Sequence, residues 1–334
     1  MAQPTPQSMH VDAILTNLSV AYKNALYIAD RVFPTVPVKK QSDKYFLYPK
    51  GAWFRDEAQL RAPGASAPKG GYELSSDSYF ADEYAWDTPV PKESIENADL
   101  PLDPLQEGAD FSTEKVLMKK ERLVAGKVLA AGNWTTSDDV NALWAPPGST
   151  NTFLPDILDA KETMRKLCGF YPNRLLMDAK TFRALKEVEA ILERIKYTGT
   201  QGKPADVTLQ TLAALLELDE VLIGAAIYSS AKEKKGGADF TAVDIWEVNP
   251  TKGSAFLYYV PPRPALKTPS AGYLFNWPST ELGQSQMVKQ DAYRVVKKWW
   301  ENDRESWMIR ASERVDAKVV AADCGCLFYD TIVT

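Results

Sequence analysis

Histidine is almost absent from the sequence, in which His10 is the only one among 334 residues. Ser-His-Asp and Cys-His catalysis both require a histidine, and so do most zinc sites, so none of them is expected unless His10 folds back into a site. A phosphate-binding loop is missing too, because Gly202-Lys203 lacks the Walker spacing and Pro204 follows where Ser or Thr is required. We therefore predict that the chain is not an enzyme and needs no cofactor or metal.

Cysteine is scarce as well, and the chain contains three, Cys168, Cys324 and Cys326. Their number is odd, and the last two form a C-x-C pair inside an apolar run. This pattern matches neither a disulfide framework nor a zinc-binding spacing. Because a free cysteine behaves as a small buried hydrophobic residue, we predict three reduced thiols in strands or in the core.

Long hydrophobic runs and an excess of positive charge are also lacking. No apolar stretch reaches the ~18 residues of a membrane span, and residues 1–10 lack the pattern of a secretory signal. The formal net charge of −5 argues against a broad basic face and against tight, sequence-independent binding of DNA. We expect a protein assembled in the cytoplasm, whose mildly acidic surface is either an ordinary soluble surface or one that lies beside DNA without binding it.

Helical and strand patterns alternate along the chain and indicate an α+β fold. Residues 11–32 have helical apolar spacing, and the longest predicted helix, 102–131, has prolines at its start and ends before Gly132. The apolar stripe of this helix consists of Leu117, Val124, Val128 and Ala131. Its charged residues are expected to face solvent. Helices and strands alternate from residue 154, strands dominate from residue 293, and a chain of this length is expected to form two or more lobes.

Residues 39–98 contain two extended stretches but little core of their own. The stretches, 45–54 and 72–90, flank a middle that is rich in charged and turn-forming residues. An excursion of this length, with two strands and a polar tip, is unusual in a free monomer. We predict a hairpin that another subunit completes.

Six stretches carry a family resemblance. They are IADRVFPTVPVKKQSDKYFLYPKGAWFRDEAQLRAPG (28–64), GFYPNRLLMDAKTFRAL (169–185), LERIKYTG (192–199), VLIGAAIYSSAKE (221–233), YYVPPRP (258–264) and PSAGYLFNWP (269–278). In this order they resemble the tailed-phage major capsid proteins with the Hong Kong 97-type fold. The similarity runs through most of the chain, which one short motif matching by chance would not do.

The resemblance implies an α+β, Hong Kong 97-like capsid fold with five parts. An N-terminal arm would occupy residues 1–38 and an extended β-hairpin loop residues 39–98. A peripheral domain with a long spine helix would follow at 99–153, and an axial α/β domain at 154–285. Strands that return to the peripheral domain would occupy residues 286–334.

The resemblance also implies a function, that of the major capsid (head) protein of a tailed bacteriophage. Such a protein assembles with itself into pentamers and hexamers of an icosahedral shell that encloses double-stranded DNA, and its place is the virion capsid after assembly in the bacterial host cytoplasm. The expected partners are further copies, a portal, and packaged DNA without sequence-specific contacts. The part of the arm ahead of the first matching residues is under 30 residues long, so a separate scaffolding protein is expected; a decoration protein is left open.

Two alternatives to the phage capsid remain. The first is a cellular nanocompartment shell of the same fold, which would enclose an enzyme cargo and would need no portal. The second is a monomeric α/β enzyme. The long hairpin argues against a monomer, because its unpaired strand edges would invite association.

Two groups of residues are predicted to form the contact between neighbouring subunits. The loop tip supplies both charge signs and two aromatic anchors, from Trp53, Phe54, Arg55, Asp56, Glu57 and Arg61. The spine helix of the neighbour supplies Glu114, Lys115, Lys119 and Lys120. A solvated turn at the tip and a solvated face on the helix are the competing interpretations.

Overall fold

The computed structural model describes residue 24 and residues 26–98, 103–145, 151–198, 207–231, 240–264, 267–278, 286–290 and 293–333. Most of the predicted arm helix, the single histidine and the glycine-rich stretch at 199–204 lie outside the described residues.

The secondary structure of the described residues mixes helices and strands throughout. The helices are α1 Ala29–Val32, α2 Lys50–Trp53, α3 Lys92–Glu96, α4 Pro104–Val128, α5 Phe153–Cys168, α6 Ala179–Leu185, α7 Glu189–Thr198 and α8 Leu209–Leu215. The strands are β1 Thr35–Pro37, β2 Ser42–Leu47, β3 Ser75–Phe80, β4 Asp82–Pro91, β5 Thr136–Asp139, β6 Arg174–Asp178, β7 Glu220–Gly224, β8 Ile227–Ser229, β9 Ala242–Asp244, β10 Lys252–Tyr258, β11 Gly272–Asn276, β12 Gln286–Gln290, β13 Arg294–Glu301, β14 Ser306–Val319 and β15 Gly325–Val333.

The larger sheet has six strands arranged around β14. Its order is β1-β11-β14-β13-β12, and β4 also pairs with β14. The strand β4 pairs along one edge of β14 with its first ten residues, and β11 pairs with the last five, so that Val315 has a partner in each. The strand β13 pairs antiparallel along the other edge. A strand from the extended loop is therefore part of the main sheet.

The predicted long helix is observed as α4, which packs across β14 and β4. Its start is fixed by Asp103, whose side chain accepts hydrogen bonds from the backbone N–H groups of Leu105 at 3.0 Å and Gln106 at 3.3 Å. The first half of its buried face is made of small residues. A Cβ added at Gly108 would lie 2.9 Å from the Cδ1 atom of Ile309, so the missing side chain allows the helix to lie close to the sheet.

The apolar stripe predicted for this helix is only partly correct. Its buried members are Val124 and Val128. Leu117 is half-buried, and Ala131 is exposed beyond the end of the helix. The expectation that the charged residues face solvent is wrong for Lys120 and Glu121, which are buried. These two side chains point towards the sheet and the arm because polar partners meet them there.

The smaller sheet has five strands in the order β5-β15-β10-β6-β7. Its central strand, β10, pairs antiparallel with β6 and β15, and all but the first of its residues are buried. The helices α5, α6 and α8 supply apolar residues to the same core, including Ile157, Leu185 and Leu212. The parallel pair β6–β7 with the helices between them is the α/β pattern expected from residue 154 onward.

The final strands of the chain divide between the two sheets. Strands dominate from residue 293 as predicted, but β14 ends at Val319 and a 3-10 turn, Ala322–Cys324, separates it from β15. The strand β15 lies in the smaller sheet, whereas β11 lies in the larger one. The predicted domain boundary between residues 285 and 286 therefore does not coincide with a boundary between sheets.

The extended loop is a shorter hairpin than the sequence indicates. The strands β2 and β3 pair antiparallel with each other and form a two-stranded sheet. The predicted arm at 45–54 is wrong in its second half, because β2 ends at Leu47 and the helical turn α2 follows Pro49. The predicted arm at 72–90 is two strands with different partners, since β3 pairs with β2 and β4 pairs with β14.

Candidate subunit interface

The extended loop has a packed base and an exposed tip. At the base, the ring of Tyr79 stacks on that of Phe275 with 4.7 Å between centroids, and Tyr45 lies 5.4 Å from the same ring. Every residue from 53 to 78 is exposed, including Leu60, which has no measurable cover from the rest of the chain. The subunit therefore leaves a long segment with several apolar side chains in solvent, which a stable free monomer rarely does.

In the interactions that the structure describes, the charged residues of the tip contact only other residues of the loop. Arg55 Nη1 lies 3.3 Å from Glu57 Oε1, and both side chains are well exposed. Arg61 donates a hydrogen bond from Nε to the carbonyl oxygen of Ala65 at 2.5 Å. Asp56 is exposed beside them. This geometry leaves both charge signs accessible at the tip.

The two aromatic anchors predicted beside the tip contact the subunit's own body. Trp53 forms a cluster with Tyr48 and Tyr72, with ring centroids 6.0 and 5.6 Å away. The ammonium group of Lys267 lies over two of these rings, 5.5 Å from that of Tyr48 and 5.6 Å from that of Trp53. Phe54 lies against Gly169, where an added Cβ would come within 2.9 Å of its ring. We call Tyr48, Trp53, Tyr72 and Lys267 the aromatic base.

Both anchors nevertheless keep a large accessible surface. The exposed fractions are 54% for Trp53 and 67% for Phe54. An ion pair between Lys50 and Asp323 holds the same end of the loop against the turn before β15. The aromatic base thus fixes the direction in which the loop leaves the body, and much of its apolar surface remains open to a partner.

The spine helix α4 and the neighbouring strand β4 present an exposed surface of alternating cations and aromatic rings. Lys115 Nζ lies between two rings, 4.9 Å from the centroid of Phe111 and 5.7 Å from that of Trp86. Lys119 Nζ lies 5.5 Å from the ring of Tyr84. We call the surface made of Tyr84, Trp86, Phe111, Lys115 and Lys119 the spine face.

Glu114 lies next to the spine face, but its carboxylate already accepts a hydrogen bond within its own subunit. Its Oε2 atom accepts a hydrogen bond from the hydroxyl of Tyr27 at 2.9 Å. Burial, reinforced by this carboxylate, raises the pKa of Tyr27 to about 12. The contact ties the last residues of the arm to the spine helix.

Lys120, the fourth helix residue predicted at the interface, is directed into the subunit. Its Nζ lies 2.8 Å from Asp30 Oδ2 and 3.2 Å from Glu313 Oε1, and its side chain is 7% exposed. Glu313 is itself buried and also accepts a hydrogen bond from Asn276 at 3.2 Å. The structure therefore does not bring Lys120 to the surface that holds Lys115.

Glu121 is a central residue that the sequence reasoning assigned to a solvated face. Its carboxylate accepts hydrogen bonds from the backbone N–H groups of Ile28 at 3.0 Å and Ala29 at 2.9 Å, and from Trp246 Nε1 at 2.6 Å. Burial outweighs these bonds and raises its pKa. The side chain joins the arm, the spine helix and the loop after β9. Its position three residues before the buried Val124 was the available signal, because this spacing puts both on one helix face.

A family model described as "Phage capsid protein" matches residues 76–293, which is more than half of the chain. The chain belongs to the phage capsid protein family. The major capsid protein of Burkholderia phage BcepMu is 28% identical over 261 residues, which are 75% of this chain and 76% of that protein. The family resemblance inferred from the six sequence stretches is thus confirmed, and a capsid protein family implies a structural role in the virion capsid.

Solved structures with similar folds confirm the Hong Kong 97-type capsid fold. A phage-related protein from Bordetella bronchiseptica RB50 superposes with a TM-score of 0.65 at 23% identity, over 94% of each chain. The capsid structure of the cyanophage P-SCSP1u gives a TM-score of 0.60 at 10% identity, over 98% of this chain and 95% of that one.

The fold match is not limited to structures named as phage capsids. The SrpI encapsulin complex from Synechococcus elongatus PCC 7942 gives a TM-score of 0.54 at 13% identity, over 96% of this chain and 95% of that one. At these identities the structural matches establish the fold alone, so the relation to phage rests on the family model and the sequence relatives. Among the described residues, no helix combines the length and the apolar character that crossing a membrane requires.

Proposed function

We propose that the chain is the major capsid protein of a tailed bacteriophage, which assembles into pentamers and hexamers of an icosahedral shell around double-stranded DNA. One observation carries the proposal beyond the family: residues 53–78 are exposed throughout and have no core within the subunit. Such a segment becomes stable when a neighbouring copy covers it. The proposed role is structural and involves no catalysis.

The proposed contact joins the loop tip of one subunit to the spine face of the next. The acidic residues Asp56 and Glu57 would approach Lys115 and Lys119, whose ammonium groups are held in place over aromatic rings. An exposed ion pair contributes only about 0–1 kcal/mol. Because the same contact recurs at every symmetry-related position, weak contacts add up in the closed shell while each single one stays reversible during assembly.

Apolar side chains would supply the remainder of this contact. Phe111 and Trp86 are about half exposed on the spine face, and Leu60 and Phe54 are exposed on the loop. Aromatic residues of this kind dominate the binding energy of many interfaces. Lys120 is left out of the proposed contact because it is buried in its own subunit.

The proposed parts of the shell subunit follow the two sheets. We assign the peripheral domain to the larger sheet with α4, and the axial domain to the smaller sheet with its helices. The arm would tether neighbouring subunits. The proposed partners are further copies of the chain, a scaffolding protein, a portal, and DNA held without sequence-specific contacts. Assembly in the bacterial cytoplasm and a decoration protein belong to the same proposal.

A cellular nanocompartment shell is the second candidate, favoured by the encapsulin fold match alone. The two functions differ in what the particle encloses. A phage head holds DNA and has a portal at one vertex, whereas a nanocompartment holds an enzyme. The sequence relatives named as phage major capsid proteins support the first.

The test is negative-stain electron microscopy with sedimentation, on the full chain expressed alone and then with its neighbouring genes. Closed shells, or rings of five and six subunits, are the expected result. A matched variant replaces residues 55–71 with a short Gly-Ser linker, and it should fold but not assemble, because these residues have no core to lose. A monodisperse monomer under both conditions would contradict the proposal. Shells that enclose a protein cargo without DNA would favour the nanocompartment.

A further inference from the structure

Two of the three cysteines meet at one place in the fold. Cys168 is the last residue of α5, and Cys324 is the last residue of the turn between β14 and β15. Cys324 is fully buried in the hydrophobic core, and Cys168 packs against the same core while staying partly exposed. The helix α5 is in contact with the turn that carries Cys324. One accessible thiol therefore lies beside one inaccessible thiol.

A closed ring of contacts holds the two residues in position. Cys168 donates a hydrogen bond from Sγ to the carbonyl oxygen of Phe170 at 3.4 Å. The ring of Phe170 stacks on that of Tyr259 with 5.0 Å between centroids. The backbone N–H of Tyr259 in turn donates to the carbonyl oxygen of Cys324 at 2.9 Å. The backbone on both sides of the pair is thus fixed by the same aromatic stack.

The backbone after Cys168 has little freedom. Gly169 adopts a left-handed conformation with φ of 79° and ends α5 by donating to the carbonyl oxygen of Arg165 at 2.9 Å. A side chain at this position would collide with Phe54 of the extended loop. The thiol of Cys168 is consequently presented from a fixed helix end.

The surroundings make the two thiols chemically different. The interaction with the Cys324 thiol lowers the pKa of Cys168 to about 7, which favours its thiolate. The same interaction, together with burial, raises the pKa of Cys324. The other titratable or charged groups around the pair are Asp323 on the turn, Lys50 on α2 and Tyr259 after β10. An accessible thiolate beside a buried thiol is the usual arrangement of an attacking and a resolving cysteine.

We propose that Cys168 and Cys324 form a redox-sensitive site that closes to a disulfide when it meets a small disulfide oxidant such as oxidised glutathione. The Cys168 thiolate attacks one sulfur of the oxidant, which forms a mixed disulfide and releases one thiolate. The Cys324 thiol then loses its proton and attacks Cys168 Sγ, which releases the second thiolate. The two protein thiols are oxidised, and the oxidant disulfide is reduced to two thiols.

The bond would join the end of α5 to the turn on which the extended loop rests. The residue before Cys324, Asp323, accepts the ion pair from Lys50, and Gly169 contacts Phe54. Both contacts lie beside the aromatic base, where this end of the loop rests on the rest of the subunit. Thiols stay reduced in the cytoplasm and oxidise outside the cell. The two cysteines would therefore be reduced thiols during assembly and would be joined by a disulfide after release.

The experiment is thiol mapping on the full-length folded protein. The protein is incubated with oxidised glutathione, free thiols are blocked with iodoacetamide, and peptides are mapped without reduction. The expected product is a peptide pair linked through Cys168 and Cys324, and its rate of formation should rise through about pH 7. Cys326 should remain free, because it is buried, with its thiol 3.7 Å from Asp138 Oδ2.

Three variants test whether the linked peptide depends on Cys168 and Cys324 and not on the third cysteine. Cys168→Ser and Cys324→Ala should each abolish the linked peptide, and Cys326→Ala should leave it unchanged. In wild-type protein, the oxidised form should melt at a higher temperature than the reduced form, and dithiothreitol should reverse the shift. This last measurement needs no variant and decides the question even if a substitution prevents folding.

Three results would overturn the proposal. The first is a glutathione adduct on Cys168 that never resolves to the internal disulfide. The second is oxidation that involves Cys326 at a comparable rate. The third is no reaction in the folded protein while the urea-unfolded chain reacts. Failure of this site leaves the capsid function untouched, because shell formation is scored separately by microscopy.

Discussion

The loop tip and the spine helix each carry a short run with both charge signs, and the two runs look alike in the sequence. Arg55-Asp56-Glu57 lies in a segment in which every residue is exposed. Lys120-Glu121 is buried between the helix, the larger sheet and the arm. A charge in water needs no partner, whereas a buried one is stable only when it is paired or hydrogen-bonded. The helix run therefore holds the subunit together, and the tip run is left for another subunit.

The largest effect on subunit stability is expected from Glu121→Ala. The substitution removes the acceptor for Ile28 N–H, Ala29 N–H and Trp246 Nε1, all of which are buried. We expect the free energy of unfolding to fall by about 4 kcal/mol. Urea unfolding measures it, and Glu121→Gln is the matched control, since its amide oxygen still accepts and the loss should be smaller. Wild-type stability in both variants would show that the hydrogen bonds of Glu121 do not stabilise the subunit.

The second-largest effect on stability is expected at one of two adjacent lysines and not at the other. Lys120→Met leaves Glu313 buried with one cation fewer, and we expect it to lower the free energy of unfolding by about 3 kcal/mol. Lys119→Met changes an exposed residue and should stay within about 0.5 kcal/mol of wild type. The pair is measured in the same urea titration. Equal losses would contradict the difference between the buried and the exposed position.

A smaller effect is expected where the loop meets the body. Lys267→Ala removes the cation over the rings of Tyr48 and Trp53, which is worth about 0.5–1 kcal/mol. The loop should then leave the body in a wider range of directions, and limited proteolysis within residues 53–78 should become faster. Lys267→Arg keeps the cation and should restore the wild-type rate. Unchanged proteolysis in Lys267→Ala would show that the aromatic base does not hold the loop.

The smallest effect on the subunit, and a large one on the shell, is expected from Arg55→Glu. Because Arg55 is exposed, the free energy of unfolding should change by less than about 0.5 kcal/mol. Shell yield should fall, because Arg55 is the ion-pair partner that orients Glu57, and a glutamate in its place would repel Glu57 from its proposed position opposite Lys115 and Lys119. Arg55→Lys preserves the charge and serves as the control. If Arg55→Glu assembles with normal yield and thermal stability, the charges of the tip do not contribute to the contact.

Local signals were sufficient for much of the fold. The ends of α4 follow from prolines at its start and a glycine soon after its end, and the alternation of helices and strands from residue 154 follows from the apolar pattern. The prediction failed where distant residues decide. The split between β3 and β4 depends on pairing of Asp82 with Val315, which no local pattern contains. Likewise, the division of the last strands between two sheets is fixed by β10 and β14.

The candidate interface was only partly predictable for a related reason. The tip residues were found because a polar, turn-rich stretch without apolar periodicity has no core to join. The helix residues were predicted only in part, because Lys115 and Lys119 lie on the surface whereas Lys120 is buried. One residue along a helix turns the side chain by about 100°, and only the position of the sheet decides which lysine is buried.

The central claim is that a neighbouring copy covers the segment that the subunit leaves exposed. Hydroxyl-radical footprinting of isolated subunits and of assembled shells tests it directly at Trp53, Phe54 and Leu60, with the buried Trp144 as an internal reference. The account predicts rapid oxidation of these three residues in the subunit and strong protection in the shell. Equal oxidation in both states would show that the loop stays in solvent, and would contradict the proposed contact.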